Sequence, residues 1–409
     1  MTSAFNPQAV KEFPSRTVND AQADATPPPL ALYVHWPFCV SKCPYCDFNS
    51  HVRDDIDMDS WRQSLLADMT HEASLTGGRA LGSIFFGGGT PSLMPPTLVA
   101  DLIAAAGRHW ALTPDTEITL EANPNSVEVA RFADLAQAGV NRVSLGVQSF
   151  EGHALRFLGR AHDAGEAVRA IEVAQRHFRR VSFDLIYALP DQSIVQWERQ
   201  LAHALSFGTD HLSLYQLTIE PGTRFETLVR QGRFTPADAD HGADLYDLTQ
   251  RLTAMAGLPA YETSNHARIG QESRHNLTYW RYGDYAGIGP GAHGRRGDSR
   301  GVPHATQRHR KPENWLGAIA RNGHGLQHET PLSPEDRGRE ALLMGLRLAE
   351  GVDIAAIAGR TGLDEDRLID APALARLAGH GLVARDGTRL RVTGEGALLL
   401  DAILAEIVL

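Results

Sequence analysis

From residue 30 onward, short runs of aliphatic, aromatic and β-branched residues alternate with longer stretches of helical period. Ala31–Trp36, Ser83–Phe86, Glu117–Glu121, Arg142–Val147, Val181–Tyr187 and His211–Leu217 read as strands. Between them, Met58–Leu75, Pro96–His109, Val127–Ala138, Ala164–His177 and Ile194–Phe207 read as helices, the third closed by Gly139. Such alternation predicts an α/β fold with parallel strands and crossover helices. Six units suit a partial or full (β/α) barrel; a doubly wound open sheet is the alternative. In both, ligands bind at the carboxyl ends of the strands.

The pattern fades outside this stretch. Residues 1–29 are polar, end in three prolines and read as a leader without a core. Residues 30–264 form the barrel domain. Residues 265–330, rich in Gly, His and Arg, read as a loop-rich linker over the barrel mouth. Residues 331–409 predict a small domain of three helices and a strand pair turning at Asp386-Gly387, a winged-helix-like arrangement.

Charge narrows the function. The formal net charge is −10, and residues 331–409 hold 13 acidic residues against nine arginines. A nucleic-acid binder carries a basic face instead, so the small domain is expected to pack beside the active site rather than read DNA. No apolar run is long enough to span a bilayer, and no secretory pattern opens the chain. Cytoplasm is the expected location.

All three cysteines fall within eight residues, as Cys39-Val-Ser-Lys-Cys43-Pro-Tyr-Cys46. An odd, tight group points to a metal or redox site in a reducing compartment. Three thiolates on one loop can hold three irons of a 4Fe-4S cubane and leave the fourth iron open for chemistry. A structural zinc site, with His35 or His51 as fourth ligand, is the competing reading. The other polar or flexible features sit at corresponding strand ends: Gly87-Gly88-Gly89-Thr90 after the second, Glu121 on the third, Gln148 after the fourth and Asp184 within the fifth.

The cysteine spacing resembles the cluster loop of the radical S-adenosylmethionine superfamily. That resemblance implies S-adenosylmethionine on the open iron, cleaved by one electron to a deoxyadenosyl radical. Residues 30 to about 400 resemble, more narrowly, the oxygen-independent coproporphyrinogen III dehydrogenase family. The likeness rests on Tyr33-x-His-Trp-Pro-Phe-Cys, Gly-Gly-Gly-Thr-Pro-Ser, Glu-Ala-Asn-Pro, Gly-Val-Gln-Ser-Phe and Asp-Leu-Ile-Tyr-Ala-Leu-Pro. It implies that Tyr33, Gly88 and Glu121 contact the cluster-bound S-adenosylmethionine. It also implies that Tyr45, Gly89, Thr90, Gln148, Arg160 and Asp184 match contacts to a second one.

Two departures point within the family. The dehydrogenases carry another cysteine two residues after the third; here that residue is Phe48. They also carry an N-terminal motif that residues 1–30 lack. His275-Asn-Leu-Thr-Tyr279-Trp280 matches the signature of the family's heme chaperones. This resemblance implies binding of heme, with His275 a candidate contact, and its delivery to acceptor heme proteins such as respiratory membrane proteins. The alternatives are coproporphyrinogen III dehydrogenation and radical chemistry on an unrelated substrate.

Overall fold

A computed structural model describes residues 28–409. The leader expected over 1–29 lies outside the described residues, apart from Pro28 and Pro29. Six parallel strands, β1 (Leu30–Trp36), β2 (Leu81–Gly88), β3 (Glu117–Ala122), β4 (Arg142–Gln148), β5 (Arg180–Tyr187) and β6 (His211–Gln216), lie side by side in chain order. Consecutive order rules out the doubly wound alternative, in which the order reverses at a switch point. Helices α1 (Met58–Thr76), α2 (Pro96–His109), α3 (Phe132–Gln137), α4 (Ala164–His177) and α5 (Ile194–Ser206) connect them. The helix expected over 127–138 is broken at Ala130 and Arg131, because Glu128 is drawn back into hydrogen bonds with Asn123 and Asn125.

The strands alternate strictly. Leu32, Val34, Trp36, Phe86, Leu120, Val143, Leu145, Phe183 and Leu214 face the helices and join one apolar core with Leu65, Leu102, Ile171, Trp197 and Leu201. The opposite face is polar. Tyr33 lies beside Phe85, Phe85 beside Thr119, Thr119 beside Arg142, and Glu121 beside Ser144. Ser144 continues to Ser182, and Asp184 pairs with Ser213. A parallel sheet is ordinarily apolar on both faces; this polar inner face marks a lumen made for a ligand.

The barrel is partial. β6 pairs with antiparallel β7 (Asn265–Ala267), and β1 pairs on its other side with parallel β8 (Tyr285–Ile288). Antiparallel β9 (His293–Gly297), β10 (Pro303–Arg308) and β11 (Leu326–Pro331) extend the sheet beyond β8. With helices α6 (Ala239–Met255) before them, α7 (Arg274–Trp280) and α8 (Pro312–Asn322), these strands correct the loop-rich reading of 265–330. In β9 and β10 the buried positions are charged or polar. Arg296, His304, Thr306 and Arg308 face inward, so no apolar alternation appears. Arg296 and Arg308 meet Asp68 and Glu72 of α1 in a fully buried ionic cluster.

Residues 334–407 build a second, separate core around Leu342, Leu346, Ile354, Ile357, Leu374 and Ile403. Its helices are α9 (Pro334–Gly345), α10 (Ile354–Thr361), α11 (Ala371–Gly379) and α12 (Leu400–Ile407). The hairpin Val383–Asp386 with Arg389–Val392 turns at Gly387, as expected, and gains a third strand at Val352–Asp353. No helix among the described residues is long and apolar enough to cross a membrane.

Candidate functional site

The cysteine loop leaves β1 and is clamped where it begins and ends. Phe38–Cys39 pairs in parallel with His51–Val52. The Asn49 side-chain amide donates to the carbonyls of Pro290 and Arg310, each at 2.9 Å, and Phe225 N–H donates to the Pro44 carbonyl at 3.0 Å. His35 joins Tyr33 Oη, 2.9 Å from its Nδ1, to the Asn49 carbonyl, 2.9 Å from its Nε2. With both nitrogens engaged, and its pKa pushed by burial to about 4, His35 is a neutral strut. His51 Nε2 is likewise occupied by Asn49. His35 therefore has no nitrogen left to serve as the fourth ligand that the zinc reading needed. Among the described residues no three His, Cys, Asp or Glu side chains converge on a single-ion site.

The three thiols are free and half-buried. Thr90 Oγ1 donates to Cys39 Sγ at 3.5 Å, and Arg160 Nη1 donates to Cys43 Sγ at 3.4 Å. Ser50 Oγ lies 4.0 Å from Cys46 Sγ. Burial raises the thiol pKa of Cys39 and Cys46, and the neighbouring thiols raise them further. Three thiolates in so small a space call for a positive core, which a multi-iron cluster supplies. Donors at the sulfurs then orient the ligands and tune the metal. The donor set therefore fits a cluster.

Sequence reasoning missed the residue that organises these donors. Asn123, two positions after Glu121, gives its amide N–H to Thr90 Oγ1 at 3.2 Å and accepts from Arg160 Nη2. It thus couples the donors to Cys39 and Cys43. Buried Glu128 holds Asn123 in turn, accepting from its backbone N–H at 2.7 Å and from its side chain at 3.3 Å. The Glu-Ala-Asn-Pro motif contained the signal, but only its carboxylate was read.

The glycine run is built against the cysteine strand. Gly89 N–H donates to Trp36 O at 2.7 Å, and Thr90 N–H to Phe38 O at 2.8 Å. A Cβ on Gly89 would lie 2.6 Å from Phe38 O. Gly88 has φ +115°, and a Cβ there would lie 2.6 Å from the His35 ring. Close backbone approach is thus required by the fold itself, whatever the loop also offers a ligand. Gly88 N–H donates to Glu121 Oε2 at 3.2 Å. Burial first, then the charge of Asp184, pushes Glu121 up to about 8; burial lifts Asp184 to about 6. Gln148, at φ +68°, holds a left-handed backbone rare outside glycine, a strain found where geometry is prescribed. Tyr45 packs on Phe225, near Cys43 and Arg160. The predicted residues Tyr33, Tyr45, Gly88, Gly89, Thr90, Glu121, Gln148, Arg160 and Asp184 thus gather with Cys39, Cys43 and Cys46 around one mouth of the barrel.

His275 meets this group only at Tyr33, with ring centroids 6.2 Å apart. It opens α7 beneath the amino-terminal ends of β2 and β3, buried at 1% exposure. Its Nδ1 meets Ser83 Oγ at 2.9 Å, its Nε2 meets Tyr279 Oη at 2.6 Å, and its ring stacks on Phe85 at 4.8 Å. Burial, reinforced by Arg142, lowers its pKa to about 3. In this conformation both ring nitrogens are taken up by hydrogen bonds. His275 plugs the end of the barrel opposite the cysteines.

Residues 33–202 match the radical SAM superfamily, and residues 332–399 match the HemN C-terminal domain. Over 93% of its length the chain has the fold of Escherichia coli coproporphyrinogen III oxidase (HemN), with TM-score 0.78 at 24% identity, covering 90% of that chain. Fold and site thus define a radical SAM protein with a HemN-type C-terminal domain. The chain is 39% identical to the heme chaperone HemW of Escherichia coli (strain K12), over 92% of its own length and 97% of the relative's. It is 38% identical to a mitochondrial radical S-adenosyl methionine domain-containing protein 1 of Bos taurus, over 95% and 90%. The chain belongs to the HemW family of heme chaperones.

Proposed function

We propose that this chain binds heme and passes it to acceptor heme proteins, while carrying a 4Fe-4S cluster on Cys39, Cys43 and Cys46 with S-adenosylmethionine beside it. The observation that carries the reading is near-full-length likeness to chaperones named HemW, joined to the retained Cys39–Cys46 loop. Phe48 supports the same side: where the dehydrogenases have a further thiol, this chain exposes an unreactive ring, 59% accessible. When bound, the cluster supplies one electron to S-adenosylmethionine.

The chain's own residues do the positioning. Glu121 is placed to accept from ribose hydroxyls, and Gly88 and Gly89 to admit the methionine moiety. Tyr33 sets His35, which fixes the loop. Tyr45, Thr90, Gln148, Arg160 and Asp184 line the remaining mouth, where a second S-adenosylmethionine would sit. His275 serves the heme-handling segment by anchoring α7. Reduced thiols and a cytoplasmic location go together in this reading, with acceptors at the membrane.

A second reading, coproporphyrinogen III dehydrogenation, is favoured by the fold shared with HemN. One sample tests both. Anaerobically reconstituted protein is titrated with heme, followed by its Soret band, and assayed with coproporphyrinogen III, S-adenosylmethionine and reductant. We expect saturable, stoichiometric heme binding and no protoporphyrinogen. Porphyrin product in catalytic amounts would instead establish the dehydrogenase.

A further inference from the structure

Inside the barrel lies a buried cation that the site described above leaves unused. Arg142 opens β4 and is 3% exposed. Its neighbour across the strand pair, Arg180 of β5, has Glu117 as an ionic partner; Arg142 has no carboxylate in ionic contact among the described residues. A buried charge is costly unless its hydrogen bonds are met. Here they go to hydroxyls. Nη1 donates to Thr119 Oγ1 at 3.5 Å, and Nη2 to Ser182 Oγ at 2.9 Å.

From Ser182 the bonds run toward the cysteine end. Ser182 Oγ donates to Ser144 Oγ at 3.0 Å, and Ser144 Oγ to Asp184 Oδ1 at 3.4 Å. Strand register builds this line: Arg142 and Ser144 alternate on β4, Ser182 and Asp184 on β5, with Ser144 opposite Ser182. Its direction is set at the arginine. A guanidinium only donates, and a serine hydroxyl has one hydrogen to give. Run backwards, from a proton on Asp184 Oδ1, the line would end with a hydroxyl hydrogen aimed at a group that cannot accept it. The line therefore selects the ionised carboxylate, and bonds in such a chain strengthen one another.

The other groups facing Asp184 are Ser213 and Tyr215 of β6, Glu121 of β3, and Arg160. Burial raises Asp184 to about 6, while Ser213, Arg142, Arg160 and Ser144 act against the rise. Arg160 is already engaged at Cys43, Asn123 and the Gly146 carbonyl. On its other side Arg142 faces Arg180, His211 and His275, whose protonation it opposes. Its own hydrogen-bonded line thus ends on Asp184.

We propose that Arg142 is a positioning residue for S-adenosylmethionine: from deeper in the barrel it holds Asp184 ionised and aimed, through Ser182 and Ser144, as an acceptor for the cofactor's hydroxyl or ammonium hydrogens. It acts through the serines and not by contact. The inference rests on the S-adenosylmethionine reading of the mouth and names what sets the charge there.

The test titrates S-adenosylmethionine calorimetrically into cluster-reconstituted wild type, Arg142→Met, Arg142→Lys and Ser144→Ala from about pH 5 to about pH 9. Iron content and far-UV dichroism are measured alongside. The cofactor's own amino group titrates alike with all four proteins, so the differences between profiles carry the result. Wild-type affinity should fall as pH drops through about 6, where Asp184 takes up a proton. Without the opposite charge that fall should move up by about one pH unit, and Arg142→Met should bind about tenfold more weakly at neutral pH. Ser144→Ala keeps the charge but cuts the line, so its profile should move the same way by less. Arg142→Lys should return most of the way to wild type. Arg142→Met and Ser144→Ala profiles that superimpose on wild type would overturn the assignment and leave S-adenosylmethionine binding intact. An equal loss at every pH would mark a merely structural arginine and overturn it too. If Arg142→Met does not fold, Ser144→Ala decides alone by the same criterion. Wild type that binds no S-adenosylmethionine would remove the reading beneath the proposal.

Discussion

Asn123 makes the residue scale instructive, because it ligates nothing and yet sets two ligand environments. Removing it frees Thr90 and Arg160, the donors to Cys39 and Cys43. Asn123→Ala should weaken retention of the cluster by about 10- to 100-fold, the usual cost of losing an outer partner of a metal site; chelator extraction of iron measures it. Cys43→Ser should abolish iron and sulfide binding altogether while far-UV dichroism stays native. Glu121 adds a pH dependence. Its folded pKa, about 8, lies above that of the unfolded chain, so the folded state holds a proton that the unfolded chain releases earlier. That stability is present below the ordinary carboxylate range and is lost as pH rises through about 8. The Tm of ligand-free Glu121→Gln should therefore fall less between pH 5 and 9 than that of wild type; parallel curves would contradict the assigned shift. The cysteines, glycines and Glu121 were legible because each sits in a contiguous motif whose chemistry is local. Glu128 and Asn123 were not, because their meaning lies in partners 30 or more positions away, Ser92, Thr90 and Arg160.

At the scale of elements, two segments carry the lesson. β1 to β6 announced themselves through alternating buried positions, but β9 and β10 hide theirs behind arginines that find acids on α1. Burial alone would raise Glu72, but Arg308 and Arg296 outweigh it and hold it at about 2. Its contribution is thus present above the ordinary carboxylate range and lost as pH falls through about 2. Glu72→Gln leaves two buried guanidiniums short of a partner and should cost about 3–5 kcal/mol, read from urea unfolding; a loss under about 1 kcal/mol would mean that water reaches the cluster. The second segment is α7, where a motif read as one heme-contacting unit has its ends on opposite sides. His275→Ala strands Ser83 and Tyr279 and should lower stability by about 1–3 kcal/mol, while heme affinity stays within about twofold. A selective loss of heme with unchanged stability would return His275 to the iron.

For the whole molecule, the partial barrel with its small C-terminal domain was legible from strand–helix alternation and the position of the cysteine run. Its open edge and the four added strands β8 to β11 were not: β8 has only four residues, β9 and β10 bury arginines and polar residues, and β11 is mostly exposed. The assembled fold gathers the cysteine loop and the predicted polar residues at the carboxyl ends of β1 to β6, while α7 joins the other end of the barrel to the small domain. The most direct measurement mixes heme-loaded, cluster-reconstituted protein with membranes stripped of heme and follows heme spectrally in both fractions, with free heme at equal concentration as control. The account predicts that heme leaves the protein and restores heme-protein spectra in the membranes faster than free heme does. Heme that stays on the protein, or membranes restored no faster than by free heme, would contradict it.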